Sequence, residues 1–252
     1  MKTISVRNLK IGAGRPKIAV SLTGTTVEAL LAQAEALFLH PVDVAEWRLD
    51  CFGAVEDTAA LQAALQALRK ALRDMPLLCT FRTKAEGGAQ EIAPAAYEAV
   101  CETVLQSGCA DLLDLELFTD RAILSRLVEH AHRANVFVVL SSHDFEKTPP
   151  QAELLTRFRE MEALHGDLLK IAAMPRCPQD VLTLLSACAE MHAATETPLV
   201  AISMGNLGKV SRICGEGFGS ALTFAALGGA SAPGQMKAEA VQSALNLLQI
   251  DK

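Results

Sequence analysis

The chain is poor in aromatic residues, has no excess of positive charge, and lacks both paired cysteine motifs and long apolar runs. Aromatics make up 4% of its 252 residues against 50% hydrophobic overall, so its core must be aliphatic. A net charge of −6 speaks against a general nucleic-acid or anionic-membrane surface, while leaving room for a local cluster of arginines. Seven cysteines are present, an odd number with no CxxC, several inside apolar runs such as LLCTF. They read as small buried hydrophobes in a reducing compartment, not as disulfides or a zinc site. No apolar run reaches the ~18 residues of a membrane span. The opening stretch MKTISVRNLKIGAGRPK is basic but has no apolar centre, so it is not a secretory signal. These absences predict a cytoplasmic protein. With no linker-like or low-complexity segment either, one domain over residues 1–252 is expected.

What is present is an alternation. Residues 1–16 place Ile4, Val6, Leu9 and Ile11 around Asn8, which predicts a small hairpin before the main fold. The GAG at 12–14 lacks the rest of a dinucleotide fingerprint. From Lys17 onward, short apolar runs alternate with helical patterns. The runs are KIAVSL, VDVAEWRLD, LLCTFR, DLLDLEL, VFVVLSSHDF, DLLKIAAMP, PLVAISMG and GSALTFAAL. Helices are predicted over 25–39, 57–73, 93–107, 120–134, 151–165, 178–193, 207–214 and 237–248, the first with Thr25 and Glu28 in capping-box spacing. Strands alternating with helices imply right-handed crossovers and parallel strands. Eight repeats in a chain of this length predict a (β/α)8 TIM barrel, which typically takes ~250 residues.

In such barrels the functional site forms at the C-terminal ends of the strands. Those ends carry Ser21; Glu46, Arg48 and Asp50; Arg82, with Glu86 in the next loop; Asp114 and Glu116; His143 and Asp144; Lys170; Ser203 and Met204, with Arg212 just beyond; and Ser231 and Gln235 in the last loop. The two-residue strand period puts Glu46, Arg48 and Asp50 on one face, and likewise Asp114 and Glu116. Asp50, Asp114, Glu116 and Asp144 read as ion pairs holding the rim, with Asp50 alternatively in the following loop. Arg48, Arg82 and Arg212 converge on the mouth and point to an anionic ligand, a carboxylate before a phosphate. The loop GGASAPGQ is a candidate lid, hinged at Gly228 and Gly229.

The stretch that organises these residues is DLLKIAAMP, a short apolar run with a single lysine, Lys170, at its centre. A lysine is rarely buried without a reason, and one that loses its proton is a nucleophile for carbonyls. The alternative is a strand-end lysine that reaches water. His143 is the one histidine at a strand's C-terminal end and lies one strand before Lys170. His40, His130, His132, His165 and His192 fall on helices or at the other end of the barrel. A base beside a carbonyl-capturing lysine is the arrangement for proton abstraction next to an imine.

Six motifs at predicted strand ends then resemble one family: EWRLD at 46–50, FRTKAEGG at 81–88, SSHDF at 141–145, KIAAMP at 170–175, ISMGNLGKVSR at 202–212 and SAPGQ at 231–235. From about Ile18 to the last helix the chain resembles type I 3-dehydroquinate dehydratases of the shikimate pathway. That resemblance implies a lyase in which Lys170 forms a Schiff base with the ketone of 3-dehydroquinate. It implies His143 as general base and acid, and Glu86 as the residue that orients it. It implies Arg212, Ser231 and Gln235 on the substrate carboxylate. Glu46, Arg48 and Arg82 would hold the ring hydroxyls with Ser21 nearby, and Met204 would pack on the ring. It further implies a small-molecule substrate with no metal or cofactor, no nucleic acid and no membrane, and a homodimer. Two other readings of the same residues stand beside it: a different lysine-imine enzyme such as an aldolase, and a barrel that binds a small acid without catalysis.

Overall fold

The computed structural model describes residues 3–229 and 231–250. The expected hairpin comes first, β1 (Ile4–Val6) and β2 (Leu9–Ile11), with Ile4 opposite Ile11 and Val6 opposite Leu9. Eight parallel strands follow: β3 (Lys17–Leu22), β4 (Val44–Arg48), β5 (Leu77–Thr80), β6 (Leu112–Glu116), β7 (Phe137–Asp144), β8 (Leu168–Ala173), β9 (Leu199–Ser203) and β10 (Leu222–Ala225). Between and after them run α1 (Val27–Leu37), α2 (Thr58–Leu72), α3 (Pro94–Gln106), α4 (Arg121–Arg133), α5 (Gln151–Ala163), α6 (Pro178–Ala194), α7 (Gly215–Phe218) and α8 (Ala238–Leu247). Each strand from β3 to β8 pairs with the next, and β10 returns to β3, so the sheet curls into the expected barrel. The seam between β9 and β10 carries no ladder. One bridge, Leu199 to Ser220, and the Ser220 hydroxyl on the Ala201 N–H span it.

The strand period sorts the core into two parts. Ala19, Val44, Leu78, Leu112, Val139, Leu168, Val200 and Leu222 face the barrel interior, where Ile4, Val6 and Ile11 of the hairpin pack against them. These are early residues of their strands, so the hairpin closes the N-terminal end of the barrel. The alternate residues, such as Leu169 and Ile171 on β8, pack against the helices. The six-residue β8 is buried throughout, which places Lys170 on the interior face with Leu168 and Ala172.

Several local expectations are corrected. The cap of α1 is Thr26, not Thr25: Thr26 has the extended backbone a cap needs (φ −127°, ψ 164°), and its hydroxyl accepts from the Ala29 N–H. Of the two places expected for Asp50, it takes the one after β4: it lies in a 3-10 turn, Leu49–Cys51, and folds back onto Arg48. β5 ends at Thr80, which leaves Arg82 in the segment beyond it. The helix expected over 207–214 is a 3-10 segment, Leu207–Arg212, followed by the short α7. There the Ser211 hydroxyl donates to the Gly208 carbonyl and accepts from the Ser203 N–H, and so competes with α-helical pairing. Among the described residues Asp144 forms no rim ion pair; it caps its own turn by accepting from the N–H groups of Glu146 and Lys147. All seven cysteines are free, and Cys177 is exposed rather than buried. The candidate lid includes Ala230, which lies outside the described residues.

Two glycines let backbone pass where site residues are set. A Cβ on Gly88 would lie 1.8 Å from the Arg82 carbonyl oxygen, and one on Gly208 would lie 2.1 Å from that of Ser203. Both segments therefore tuck against a strand end, one carrying Glu86 and the other Arg212.

Because the hairpin fills the closed end, its core should matter for stability and not for chemistry. Ile11 is fully buried. Ile11→Ala should lower the unfolding free energy by about 2–5 kcal/mol in urea denaturation. The kinetic constants of the folded fraction should be unchanged.

Candidate active site

The C-terminal ends of the strands open into a cavity of about 200 Å³. The eleven side chains to which the resemblance gives a role line it: Lys170, His143, Glu86, Ser21, Glu46, Arg48, Arg82, Met204, Arg212, Ser231 and Gln235; Asp50, Asp114, Glu116, Asp144 and Ser203, also named at the strand ends, do not. Thr80, Phe145 and Phe224 line it too, although they were not among those candidates. Phe224 sits two residues beyond Leu222 on the interior face of β10, so the period of LTFA could have found it. The other histidines lie elsewhere, His40 with Glu239, His130 with Glu102 and His132 with Asp167.

Lys170 is buried, with 4% of its surface exposed. Its Nζ donates to Asp114 Oδ2 at 3.0 Å, lies 3.9 Å from Glu46 Oε1, and sits 4.6 Å from the centroid of the Phe224 ring. Glu46 is engaged on both oxygens, by the hydroxyls of Thr80 and Ser21. Asp114 is itself gathered by Arg82. That guanidinium donates through Nη2 to Asp114 Oδ1 at 2.7 Å, and through Nη1 to Glu116 Oε1 at 2.8 Å and the Ser141 hydroxyl at 3.0 Å. Burial alone would raise Asp114, but Arg82 and Lys170 outweigh it and hold the carboxyl at about 2. Burial likewise works against the charge on Arg82, and the carboxylates of Asp114, Glu116 and Glu86 overcome it and raise its pKa.

His143 and Glu86 form a second buried unit. Glu86 Oε2 receives the His143 backbone N–H at 3.0 Å, the ring Nδ1 at 2.9 Å and Arg82 Nη1 at 3.3 Å, while Oε1 has no partner. Burial, aided by Glu116 and Asp114 and opposed by Arg82, pushes the Glu86 carboxyl up to about 8. Burial, with the charges of Arg82, Lys170 and Arg48, holds the His143 ring well below its ordinary range. Both shifts favour a neutral ring, in which Nδ1–H would donate to Glu86 Oε2 and the lone pair would lie on Nε2.

Arg212 is buried to 1% exposure, and its Nη groups donate only to carbonyls, Phe224 at 3.2 Å and Pro233 at 2.9 Å. Its Nε has no partner, and among the described residues no carboxylate pairs with it. Burial lowers its pKa to about 10. A buried guanidinium without an anion is a receptor for one. Beside it, Gln235 Nε2 donates to the Ser231 hydroxyl at 3.0 Å, and Ser231 donates at 2.9 Å to Ser21, tying the last loop to β3. Arg48 is clamped by Asp50 through two bonds of 2.8 and 2.7 Å. Among the described residues, no three His, Cys, Asp or Glu side chains are grouped to hold a metal ion.

The family model described as Type I 3-dehydroquinase matches residues 18–252. The 3-dehydroquinate dehydratase of Lactiplantibacillus plantarum is 44% identical over 248 residues, covering 98% of each chain. The crystal structure of type I 3-dehydroquinate dehydratase from Clostridium difficile with covalently modified comenic acid superposes with a TM-score of 0.95, at 41% identity and 98% coverage of both chains. The solved structure of 3-dehydroquinate dehydratase from Enterococcus faecalis gives 0.93 at 39% identity, over 98% of this chain and 100% of that one.

The raised carboxyl has a thermodynamic signature. With Glu86 moved from 4.5 to about 8, the folded chain keeps a proton that the unfolded chain has released. The stability tied to this group is full below about pH 4.5 and is lost as pH rises towards 8. Urea midpoints of the wild type should therefore fall relative to those of Glu86→Gln across that window. A constant difference would show that the carboxyl is not raised.

Proposed function

The chain belongs to the type I 3-dehydroquinase family, hydro-lyases of the shikimate pathway, and on that premise we propose that it dehydrates 3-dehydroquinate through a Schiff base on Lys170. The observation that carries the reading is the content of one cavity: a buried lysine, a histidine beside it whose ring is held against Glu86, and a buried arginine with no carboxylate partner among the described residues. A lyase that dehydrates a hydroxy-keto acid by way of an imine uses an amine, a base and an anion receptor, which are groups of these three kinds. The covalently modified small acid in the C. difficile relative supports covalent capture by a pocket of this design.

The steps follow from the chemistry. The unprotonated Nζ of Lys170 adds to the C3 ketone and water leaves, giving an iminium. The iminium withdraws electrons from the neighbouring C2–H bond, and His143 Nε2 takes the proton. The resulting enamine expels the C1 hydroxyl, protonated by the same ring. Hydrolysis then releases 3-dehydroshikimate. Glu86 fixes the ring through Nδ1 and so chooses which nitrogen faces the substrate. Arg212 takes the carboxylate, with Ser231 and Gln235 of the last loop closing over it. Glu46 and Arg48, with Ser21, bind ring hydroxyls, and Met204 packs on the ring. Arg82 lines the cavity, but its Nη groups are committed to carboxylates, so it acts mainly through its field. The same reading makes the protein a cytoplasmic homodimer acting on a small molecule, without cofactor, nucleic acid or membrane. Among the described residues, no helix is long and apolar enough to cross a membrane.

Intact-mass spectrometry after incubation with 3-dehydroquinate and borohydride should show one reduced adduct, mapped to Lys170. Lys170→Ala should give no adduct and no turnover; substantial residual activity would rule out imine chemistry. His143→Ala should still be trapped but turn over about 10²–10⁴-fold more slowly. Arg212→Ala should chiefly raise KM, by about 10- to 100-fold for a lost charge-assisted contact. An unchanged KM would remove Arg212 from the carboxylate site.

A further inference from the structure

We propose that Asp114 is the positioning residue of the lysine chemistry, a locked anion that aims Lys170 Nζ into the cavity and stabilises the cationic iminium formed on it. The proposal rests on the Schiff-base reading above. Asp114 lies on β6 and Lys170 on β8, two strands apart, with β7 between them. The residue in register with Lys170 on β7 is Ser141. A larger side chain there would stand between carboxylate and amine. Serine leaves the path open, and its hydroxyl donates to Asp114 Oδ1 at 2.6 Å.

The two oxygens of Asp114 have separate tasks. Oδ1 accepts from Ser141 and from Arg82 Nη2, and Oδ2 accepts from Lys170 Nζ at 3.0 Å. The side chain is fully buried. With two fixed donors on Oδ1 the carboxylate cannot turn, so Oδ2 stays aimed at Nζ. Arg82 also keeps it ionised, as the low Asp114 pKa reflects. Glu46, the other nearby carboxylate, is farther off at 3.9 Å and held by two hydroxyls.

The charge on Nζ alternates through the reaction. The neutral amine adds to the ketone carbon, the carbon–oxygen bond breaks as water leaves, and the nitrogen becomes cationic. Loss of the C2 proton to His143 sends an electron pair to nitrogen and neutralises it. Departure of the C1 hydroxyl with that proton, as water, makes it cationic again. The water released on imine formation is returned on hydrolysis, so the net product is the one water taken from C1 and C2. A fixed anion at Nζ favours the two iminium states and sets the direction from which the amine attacks. The neutral enamine between them gains little from it.

The test compares Asp114→Asn and Ser141→Ala with the wild type, reading kcat, KM and the fraction of folded protein trapped on Lys170 by borohydride at saturating 3-dehydroquinate. Borohydride reduces the iminium and not the enamine, so the trapped fraction reports the state Asp114 stabilises. Asp114→Asn keeps the shape and removes the charge. It should lower kcat by about 10- to 100-fold, as loss of a preorganised electrostatic contact does, with KM changed less than about twofold and a smaller trapped fraction. Ser141→Ala keeps the charge and frees Oδ1, and should lower kcat by about 3- to 10-fold, in line with loss of one hydrogen bond, with KM again unchanged. It serves as the test on its own should Asp114→Asn not fold. A folded Asp114→Asn with wild-type kcat and trapping, or a Ser141→Ala with wild-type kcat, would overturn the proposal. A wild type that forms no adduct on Lys170 would overturn the Schiff-base reading itself, whereas a wild type that traps alongside variants that trap equally would sink only the role of Asp114.

Discussion

One buried cation organises the mouth of this barrel. Arg82 has 4% of its surface exposed, and a charge so deep is tolerable only with anions and hydrogen bonds close around it. It finds them on three separate pieces of chain: Asp114 and Glu116 on β6, Ser141 on β7 and Glu86 in the loop after β5. Through Asp114 it reaches Lys170, and through Glu86 it reaches His143. Lys170 and His143, the proposed nucleophile and base, are thus held from a single point. The same charge helps keep the His143 ring uncharged and Asp114 ionised, so the geometry and the protonation states have a common cause.

Arg212 shows the converse. It is as buried as Arg82, yet its donors meet only carbonyls and one nitrogen meets nothing. Two arginines in one cavity thus differ in their counter-ions: one has its anions built into the fold, while the other lacks them. The first is framework, and the second is the residue proposed to receive the substrate's carboxylate. Residue type and burial would not separate them; the partner list does.

Much of this was legible in the chain. Eight apolar runs alternating with helical patterns specified the barrel, because a strand buried on both faces and an amphipathic helix leave different periods in sequence. Lys170 stood out for the same reason, as the lone charge in a run of buried residues. What escaped depends on three-dimensional register or on local backbone choices. Nothing in DLLDLEL says that Asp114 crosses β7 to meet Lys170, since that contact exists only once Ser141 lies between them. For Asp50 the spacing left strand and following loop both open, and the 3-10 segment after Arg48 decides it by bringing Asp50 back as a clamp. Thr25 and Thr26 are neighbours of one chemistry, and only the backbone angle decides which of them caps. Gly88 and Gly208 were visible as glycines, but the close approach that requires them was not.

The unladdered seam completes the design. β9 and β10 leave their strand pairing unmade, and the Phe224 carbonyl on β10 is taken instead by the guanidinium of Arg212. The same arginine holds the Pro233 carbonyl in the last loop, and Ser231 in that loop donates to Ser21 on β3, the other neighbour of β10. A closed ladder at this edge would have satisfied the Phe224 carbonyl by backbone and left Arg212 no seat. The break in the sheet therefore coincides with the seat of Arg212, whose Nη groups donate to carbonyls on both β10 and the last loop. That loop is tied down at this edge twice, by Arg212 through Pro233 and by Ser21 through Ser231, so the side chain that fills the break in the ladder also fixes the loop beside it.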